Sequence, residues 1–204
     1  MENLTQVLAE IDQIQSLSQI AGLLNWDQQT YLPKQGGEAR GKQRSALAAV
    51  IHSRLTAPGF IDQLEELFES SEVDSDLYVI AREQLETARL ALARPSEMVE
   101  KLTMLESSLY DRWIEARELN DFAHVELLLA EMVDLKREEA RLLTPVIGSK
   151  TPWESLLHLY DPGLKERTVF ELFSVIQPEL QRIIRETQLT GAESIKGFFA
   201  EDKQ

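Results

Sequence analysis

The three histidines, His52, His124 and His158, are the side chains best suited to hold a metal ion. A helical zinc hydrolase site needs two histidines four residues apart with a glutamate beside the first, since this spacing puts all three groups on one face. Here each histidine stands far from the other two. A di-iron bundle would need Glu-x-x-His on two helices, and the nearest approaches are Asp121 before His124 and Glu154 before His158. We therefore expect the histidines to be solvated or helix-capping groups rather than metal ligands.

Adjacent carboxylates such as Glu138 and Glu139 could in principle act as a general acid and base. In the same stretch, Asp134 stands three residues before Arg137, and Glu138 stands three before Arg141. This is the spacing of exposed ion pairs on a helix. We interpret the stretch as a charged outer helix face.

Glycine and cysteine limit the remaining chemistry. Gly36 and Gly37 precede a helix, and their backbone amides could bind an anion. The preferred interpretation is that they mark a break between two helices. The chain has no G-x-S-x-G or G-x-G-x-x-G motif and no cysteine. Nucleophile elbows, dinucleotide loops, disulfides and thiolate metal sites are thereby excluded. We expect no catalytic, cofactor-binding or metal residue in this chain.

Charge excludes two classes of partner. The chain has 35 acidic and 21 basic residues and a formal net charge of −14. Such a chain repels phosphate backbones and anionic lipid headgroups, so neither nucleic acid nor a membrane is expected as a partner. No basic residue precedes Lys34, and no apolar run approaches the roughly 18 residues of a membrane span. Together with the missing cysteines, this predicts a cytoplasmic protein.

Periodicity predicts an all-α fold of about seven or eight mostly antiparallel helices. Apolar residues from Leu4 to Leu24 recur at spacings of three and four, which predicts a first helix ending near Trp26, before the Leu32-Pro33 pair. No alternating stretch predicts a strand. We expect one helical domain over 1–204, with 190–204 as a loosely ordered tail. Further helices are predicted over 38–55, 61–68, 74–93, 96–120 (capped by Ser96), 123–143 (closed by Pro145 and Gly148), 153–159 and 165–189.

The last long helix is predicted to tolerate Pro178 and to carry an apolar inner face. Its members recur at helical spacing. They are Phe170, Phe173, Ile176, Leu180, Ile183 and Ile184.

Several motifs follow one another in an order that resembles a known family. The first is Leu-Asn-Trp-Asp-Gln-Gln-Thr at 24–30, followed by Leu32-Pro33, the glycine pair and Arg40. This run resembles the amino-terminal signature of the carboxypeptidase Taq family, zinc-dependent enzymes that remove C-terminal residues from peptides. The likeness continues through His52, Trp113-x-x-x-Arg117, Asn120-Asp121-Phe122, Leu135-x-Arg137-Glu138-x-Ala140, Tyr160-Asp161-Pro162-Gly163-Leu164 and Gly197-x-Phe199.

The resemblance covers only the amino-terminal part of a longer enzyme. The family's H-E-x-x-H zinc motif and its other active-site motifs lie beyond the matched region, so no catalytic or metal residue carries over. Zinc is expected only if a catalytic half is supplied. For the part present, the resemblance implies a helical wall beside a peptide groove, in an enzyme that is usually a homodimer.

Structural roles are expected for the motif residues. Trp26 and Trp113 fit core or interhelix anchors, and Arg40 and Arg117 fit partners for Asp27 or Asp121. The stretch 161–163 fits a turn. The full set expected to be structural is Trp26, Asp27, Gln28, Arg40, Trp113, Arg117, Asp121, Tyr160, Pro162 and Gly163.

Three functional hypotheses remain open. On the first hypothesis, the chain is a Taq-like protein that has no peptidase activity of its own and acts by binding or self-association. Alternatively, it is a fragment or split half of a zinc metallocarboxypeptidase. The third hypothesis is an unrelated helical scaffold or adaptor. The expected partner is a second copy of the chain or a complementary catalytic chain.

Overall fold

The computed structural model describes residues 2–189, and this part of the chain contains eight α-helices and no strand. The all-α prediction is therefore confirmed. The predicted tail at 190–204 lies outside the described residues. The helices are α1 (Glu2–Thr30), α2 (Gly37–Leu55), α3 (Pro58–Ser70), α4 (Asp76–Leu92), α5 (Ser96–Leu119), α6 (Ala123–Ile147), α7 (Pro152–His158) and α8 (Glu166–Leu189), with a short 3-10 helix at Lys34–Gly36.

The chain divides into two compact units, Met1–Ser155 and Leu156–Gln204. In the first unit, α2 packs mainly on α5, α5 on α6, α3 on α4 and α1 on α2. The single domain expected over 1–204 stays a prediction. None of the described helices combines the length and the apolarity that crossing a membrane requires.

The first unit has two clusters of buried apolar side chains. The larger one joins α1, α3 and α4, and Leu64 and Ala88 at its centre are completely buried. The smaller one joins α5 and α6 through Met98, Leu102 and Leu135. These clusters form because the apolar stripes of neighbouring amphipathic helices face one another.

Helix α1 continues one turn beyond the predicted end at Trp26. Backbone hydrogen bonds continue to the last turn, where the N–H of Tyr31 donates to the carbonyl of Asp27 at 2.9 Å. Proline disfavours helical dihedrals only at the residue before it, here Leu32, so nothing ends the helix at Trp26.

One further predicted helix end and one predicted helix cap are also wrong. Pro145 lies inside α6, which continues to Ile147 and ends at the left-handed Gly148 (φ 68°). A proline there removes only one hydrogen bond in the last turn. Ser96 does not cap α5, because Pro95 holds the N-cap position and the Ser96 hydroxyl bonds to His52 instead.

The expected inner face of α8 is exposed. Phe170 is 64% exposed, Phe173 56% and Ile183 47%. Pro178 lies inside the helix as predicted. In an amphipathic helix such residues normally face a neighbouring element. The predicted helix is confirmed, but the prediction that this is an inner face is wrong for the described residues, because they leave its side chains exposed.

Candidate functional site

The first motif folds into the end of α1 and the start of α2, where Gln28 is buried against α5. The Gln28 amide nitrogen donates to Ser107 Oγ at 2.7 Å and lies 3.4 Å from Asp111 Oδ1. The amide oxygen accepts from Arg44 at 3.0 Å. Every polar atom of the Gln28 side chain is therefore used inside the protein, where it joins three helices.

An ion pair ties α2 to the last turns of α1. Arg40 Nη2 lies 2.7 Å from Asp27 Oδ2, and Arg40 Nη1 donates to the Leu24 carbonyl at 2.8 Å. The Arg40 side chain is largely buried. The predicted pairing of Arg40 with Asp27 is confirmed, and its geometry places the charge between the helices rather than toward a ligand.

Gly37 allows α5 to approach the start of α2 closely. Its φ of −58° is ordinary for any residue, but an added Cβ would overlap a carboxylate oxygen of Asp111. A helix N-terminus favours a nearby negative charge, which Asp111 supplies here. The preferred structural interpretation of the glycine pair agrees with this arrangement, although its basis at Gly37 is close packing rather than a turn.

His52 is buried rather than solvated, and of the two expected roles it has the capping one, because its ring binds a carbonyl in the last turn of α4. Its Nε2 lies 3.1 Å from the Ala91 carbonyl and 2.9 Å from the Arg94 carbonyl. Carbonyls only accept, so Nε2 carries the hydrogen, and in the neutral ring Nδ1 accepts from the Ser96 hydroxyl at 3.2 Å. Both ring nitrogens are occupied in joining α2 to the connection between α4 and α5.

The acidic pair on α6 divides between surface and interior. Asp134 pairs with Arg137 at 3.2 Å on the exposed face, as predicted. Glu139 is only 2% exposed, and its carboxylate lies 3.2 Å from Arg94 and 3.0 Å from Lys136. The prediction of an outer face is therefore wrong for Glu139, because cations on two elements compensate its buried charge.

A concave surface in the first unit lies between α5 and α6. We call it the α5–α6 groove, and its volume is about 710 Å³. This volume lies within the range of small-molecule and peptide sites. Its lining is mainly apolar, through Leu109, Trp113, Phe122, Val125, Leu129 and Met132, with Glu106, Tyr110, Arg117, Asn120 and Asp121 as polar groups.

The motif tryptophans are half exposed, so their predicted role in the core is wrong. Trp113 is 46% exposed at the groove, and Trp26 is 52% exposed beside Tyr31. Arg117 does not pair with Asp121; its guanidinium lies 5.3 Å from the centre of the Trp113 ring. Asp121 instead accepts from the Ala123 N–H at 3.1 Å, at the start of α6.

The Tyr160–Gly163 motif belongs to the second unit and forms the predicted turn before α8. Gly163 has a φ of 86°, which only glycine adopts without strain. Its N–H donates to Nδ1 of His158 at 3.2 Å. Tyr160 is 88% exposed and lies open on this turn together with Pro162.

The side chains that the structure describes do not fit a zinc site. Among residues 2–189, no group of three or more histidine, aspartate or glutamate side chains could hold a metal ion. The His52 nitrogens are committed as above, and His124 Nε2 lies 3.2 Å from Glu115 on the surface. No catalytic step through a metal follows from these side chains.

Sequence reasoning missed the polar partners that hold the motif. Ser107 and Asp111 on α5 stand four residues apart, so they lie on one face of α5. This face contacts the buried Gln28 of α1. Arg44 on α2 also went unnoticed. The only sequence signal was that Ser107 and Asp111 continue the apolar stripe of α5. This pattern does not indicate which residue of another helix they contact.

Comparison with known proteins supports the resemblance. The profile of the carboxypeptidase Taq (M32) metallopeptidase family matches residues 6–204. Thermostable carboxypeptidase 1 of Thermus thermophilus is 31% identical over 177 residues, which are 82% of this chain and 35% of that protein. Thermostable carboxypeptidase 1 of Pyrococcus furiosus is 26% identical over 90% of this chain and 36% of its own length.

Solved structures show the same likeness. A Pyrococcus furiosus carboxypeptidase superposes with a TM-score of 0.73 at 26% identity, over 91% of this chain and 37% of its own. The Trypanosoma cruzi metallocarboxypeptidase 1 gives 0.72 at 29% identity, over 93% and 38%. The chain thus spans little more than a third of these relatives' length, and it belongs to the carboxypeptidase Taq (M32) metallopeptidase family.

Proposed function

We propose that this chain does not cleave peptides by itself and acts by associating with another protein chain. The observation that carries this proposal is the exposed apolar face of α8. A face of this kind gains free energy when a partner removes it from water. A cytoplasmic location for this role remains a prediction from the cysteine-free sequence.

On the opposite face of α8, charged side chains already form ion pairs with one another. Arg167 pairs with Glu171 at 2.6 Å, and Arg182 bonds to both Glu186 and Glu179. The hydrogen bonds that Arg182 donates to the carboxylates of Glu186 and Glu179 raise the pKa of Arg182. A partner on the apolar face therefore leaves these charges in water, and no ion needs to be buried.

The partner with the most support is a complementary chain that carries the remaining part of the family's length. The relatives are named carboxypeptidases, and this chain covers only 35–39% of them. On this proposal the zinc and the peptidase chemistry belong to the complementary chain. Self-association into a homo-oligomer is the second candidate, supported by the same face of α8. An unrelated scaffold is wrong, because the family is shown.

The association is tested by measuring the molar mass of the purified chain by light scattering. The chain is measured alone and mixed with a second chain that covers the part of a family member's length absent here. Ile176→Glu/Ile183→Glu places two charges on the apolar face and is expected to abolish the complex. Ser174→Glu/Gln181→Glu adds the same charges at the same spacing on the opposite face and is expected to preserve it. Equal binding by both variants would contradict the proposal.

Peptidase activity is measured in the same preparations as release of C-terminal residues with zinc added. We expect none from the chain alone and activity only with the complementary chain. Stoichiometric zinc and peptide cleavage by the chain alone would overturn the first part of the proposal.

A further inference from the structure

The α5–α6 groove has the shape of a surface that receives a helix. On α5, the groove-lining residues from Glu106 to Arg117 recur at helical spacing, so they form one stripe. At 1.5 Å per residue this stripe extends about 16 Å along α5. An elongated apolar groove of this length accommodates about three turns of an amphipathic helix, which binds such grooves through its apolar face.

The apolar face of α8 has the pattern of a helix that binds in such a groove. Phe173, Ile176 and Leu180 stand at positions i, i+3 and i+7, and Ile183 and Ile184 continue the face. These side chains are between 37% and 56% exposed. The stretch from Phe173 to Ile184 extends about 16 Å, as the groove stripe does. Every copy of the chain therefore carries a helix that matches the groove in length and in apolar character.

Two charges of opposite sign lie at one end of the groove. Arg117 has its guanidinium 5.3 Å from the centre of the Trp113 ring, and Asp121 lies exposed beside it at the start of α6. Among residues 2–189, neither charge takes part in an ion pair. At the other end, Glu106 has two cations at 3.8 and 3.9 Å. A partner that complements the groove therefore brings both an anion and a cation to one end only.

The edge at which the charged face of α8 meets its apolar face carries such a set of charges. Glu179 and Glu186 lie two turns apart on this edge, and Arg182 between them pairs with both, at 3.0 and 2.7 Å. Their carboxylates can accept from Arg117, and Arg182 can donate to Asp121. All these groups lie at the rim of the contact, so the pairing buries no ion.

We propose that, without a complementary chain, the α5–α6 groove binds the apolar face of α8 from a second copy of this protein. The inference rests on the proposed association and identifies the surface that covers α8 when the chain associates with itself. The contact joins two different surfaces, a groove and a helix, rather than the same surface twice. A complementary chain and a second copy then compete for one face of α8.

The test is a complementation experiment with two variants that each damage one side of the contact. Ile176→Glu/Ile183→Glu places charges on α8 and keeps the groove. Trp113→Glu/Leu129→Glu places charges in the groove and keeps α8. Trp113 is 46% and Leu129 39% exposed, so the buried clusters are retained.

Molar mass is measured by light scattering over a range of concentrations. The wild-type chain is expected to exceed the mass of one chain. Each variant alone is expected to associate at least roughly tenfold more weakly. An equal mixture of the two variants is expected to recover a complex of two chains, because the intact groove of one receives the intact α8 of the other. Recovery in the mixture also shows that both variants are folded.

Ser108→Glu/Leu127→Glu is the matched control for the groove variant. It adds the same charges to exposed positions of α5 and α6 outside the groove, and it is expected to associate as the wild type does. Three outcomes would overturn the inference. These are a wild-type chain that stays single up to about 100 μM, a groove variant that associates normally, and a mixture that recovers no complex. The second outcome would assign α8 to pairing with another α8.

Failure of this inference is distinguishable from failure of the proposed association. The groove variant keeps its α8, so it is expected to bind the complementary chain as tightly as the wild type does. If the wild type binds the complementary chain but not a second copy, only this inference is overturned. If it binds neither, the proposed association is overturned as well.

Discussion

Two regions of the molecule differ in which side chains they bury. The interface of α2 with α1 and α5 buries polar side chains, whereas the apolar face of α8 exposes apolar ones. The interface buries Gln28, Ser107 and His52, and each has hydrogen-bond partners on another element. Among the described residues, no buried side-chain nitrogen or oxygen lacks a partner. The face of α8 leaves phenylalanines and isoleucines half exposed. The polar groups of the first region are satisfied within the chain, whereas the second region exposes apolar side chains that the proposed association would cover.

This difference has an energetic consequence. Isolated helices are marginal in water, and most helical stability in proteins comes from packing an apolar face. Burial and satisfied polar groups therefore stabilise the first region, while α8 gains little until its face is covered. Substitutions in the two regions are expected to have unequal costs.

The largest contrast is expected between Leu64 and Ile183. Leu64→Ala removes a fully buried side chain and is expected to lower the free energy of unfolding by about 3 kcal/mol, because it leaves a cavity. Ile183→Ala, on the exposed face of α8, is expected to change it by less than about 0.5 kcal/mol. Urea unfolding followed by circular dichroism measures both. Similar losses in the two variants would remove the contrast.

A smaller loss is expected from Glu139→Gln. The substitution leaves Arg94 and Lys136 without their buried anion, and we expect a loss of about 2 kcal/mol. Both cations are partly exposed, so water relieves part of the cost. The control is Glu138→Gln on the adjacent exposed residue, for which less than about 0.5 kcal/mol is expected. If the control costs as much in the same unfolding experiment, the buried network does not stabilise the fold.

The smallest of the three effects is expected at Gln28. Gln28→Ala leaves Ser107 and Arg44 without their partner, at a cost of about 1 to 2 kcal/mol. Gln29→Ala, at the next and exposed position, is the control and is expected to be neutral. Thermal unfolding of the two variants gives the comparison, and equal midpoints would mean that the polar contacts of Gln28 are not stabilising.

Local patterns predicted most of the fold. Helical spacing of apolar residues gave eight helices with ends mostly within a few residues of those observed, because amphipathic periodicity acts over neighbouring turns. The errors at Trp26 and Pro145 came from treating a proline as a stop before its position. The exposed pair of Asp134 with Arg137 was predictable for the same local reason, since both residues lie on one helix.

Contacts between helices were less predictable. The Asp27–Arg40 pair was expected, but the burial of His52 and Glu139 and the exposure of Trp113 were not. His52 and Glu139 find partners in Ala91 and Arg94, which lie 39 and 45 positions away along the chain. A histidine or glutamate looks the same in sequence whether its partner is water or a distant carbonyl or arginine.

Periodicity and motif order along the chain were enough to predict the helical class, the apolar residues of α8 and the family. The interior position of His52 and Glu139, and the open groove beside Trp113 and Arg117, could be seen only in the folded chain. Burial depends on which helix faces meet. That choice is made by packing and by hydrogen-bond partners from distant parts of the chain.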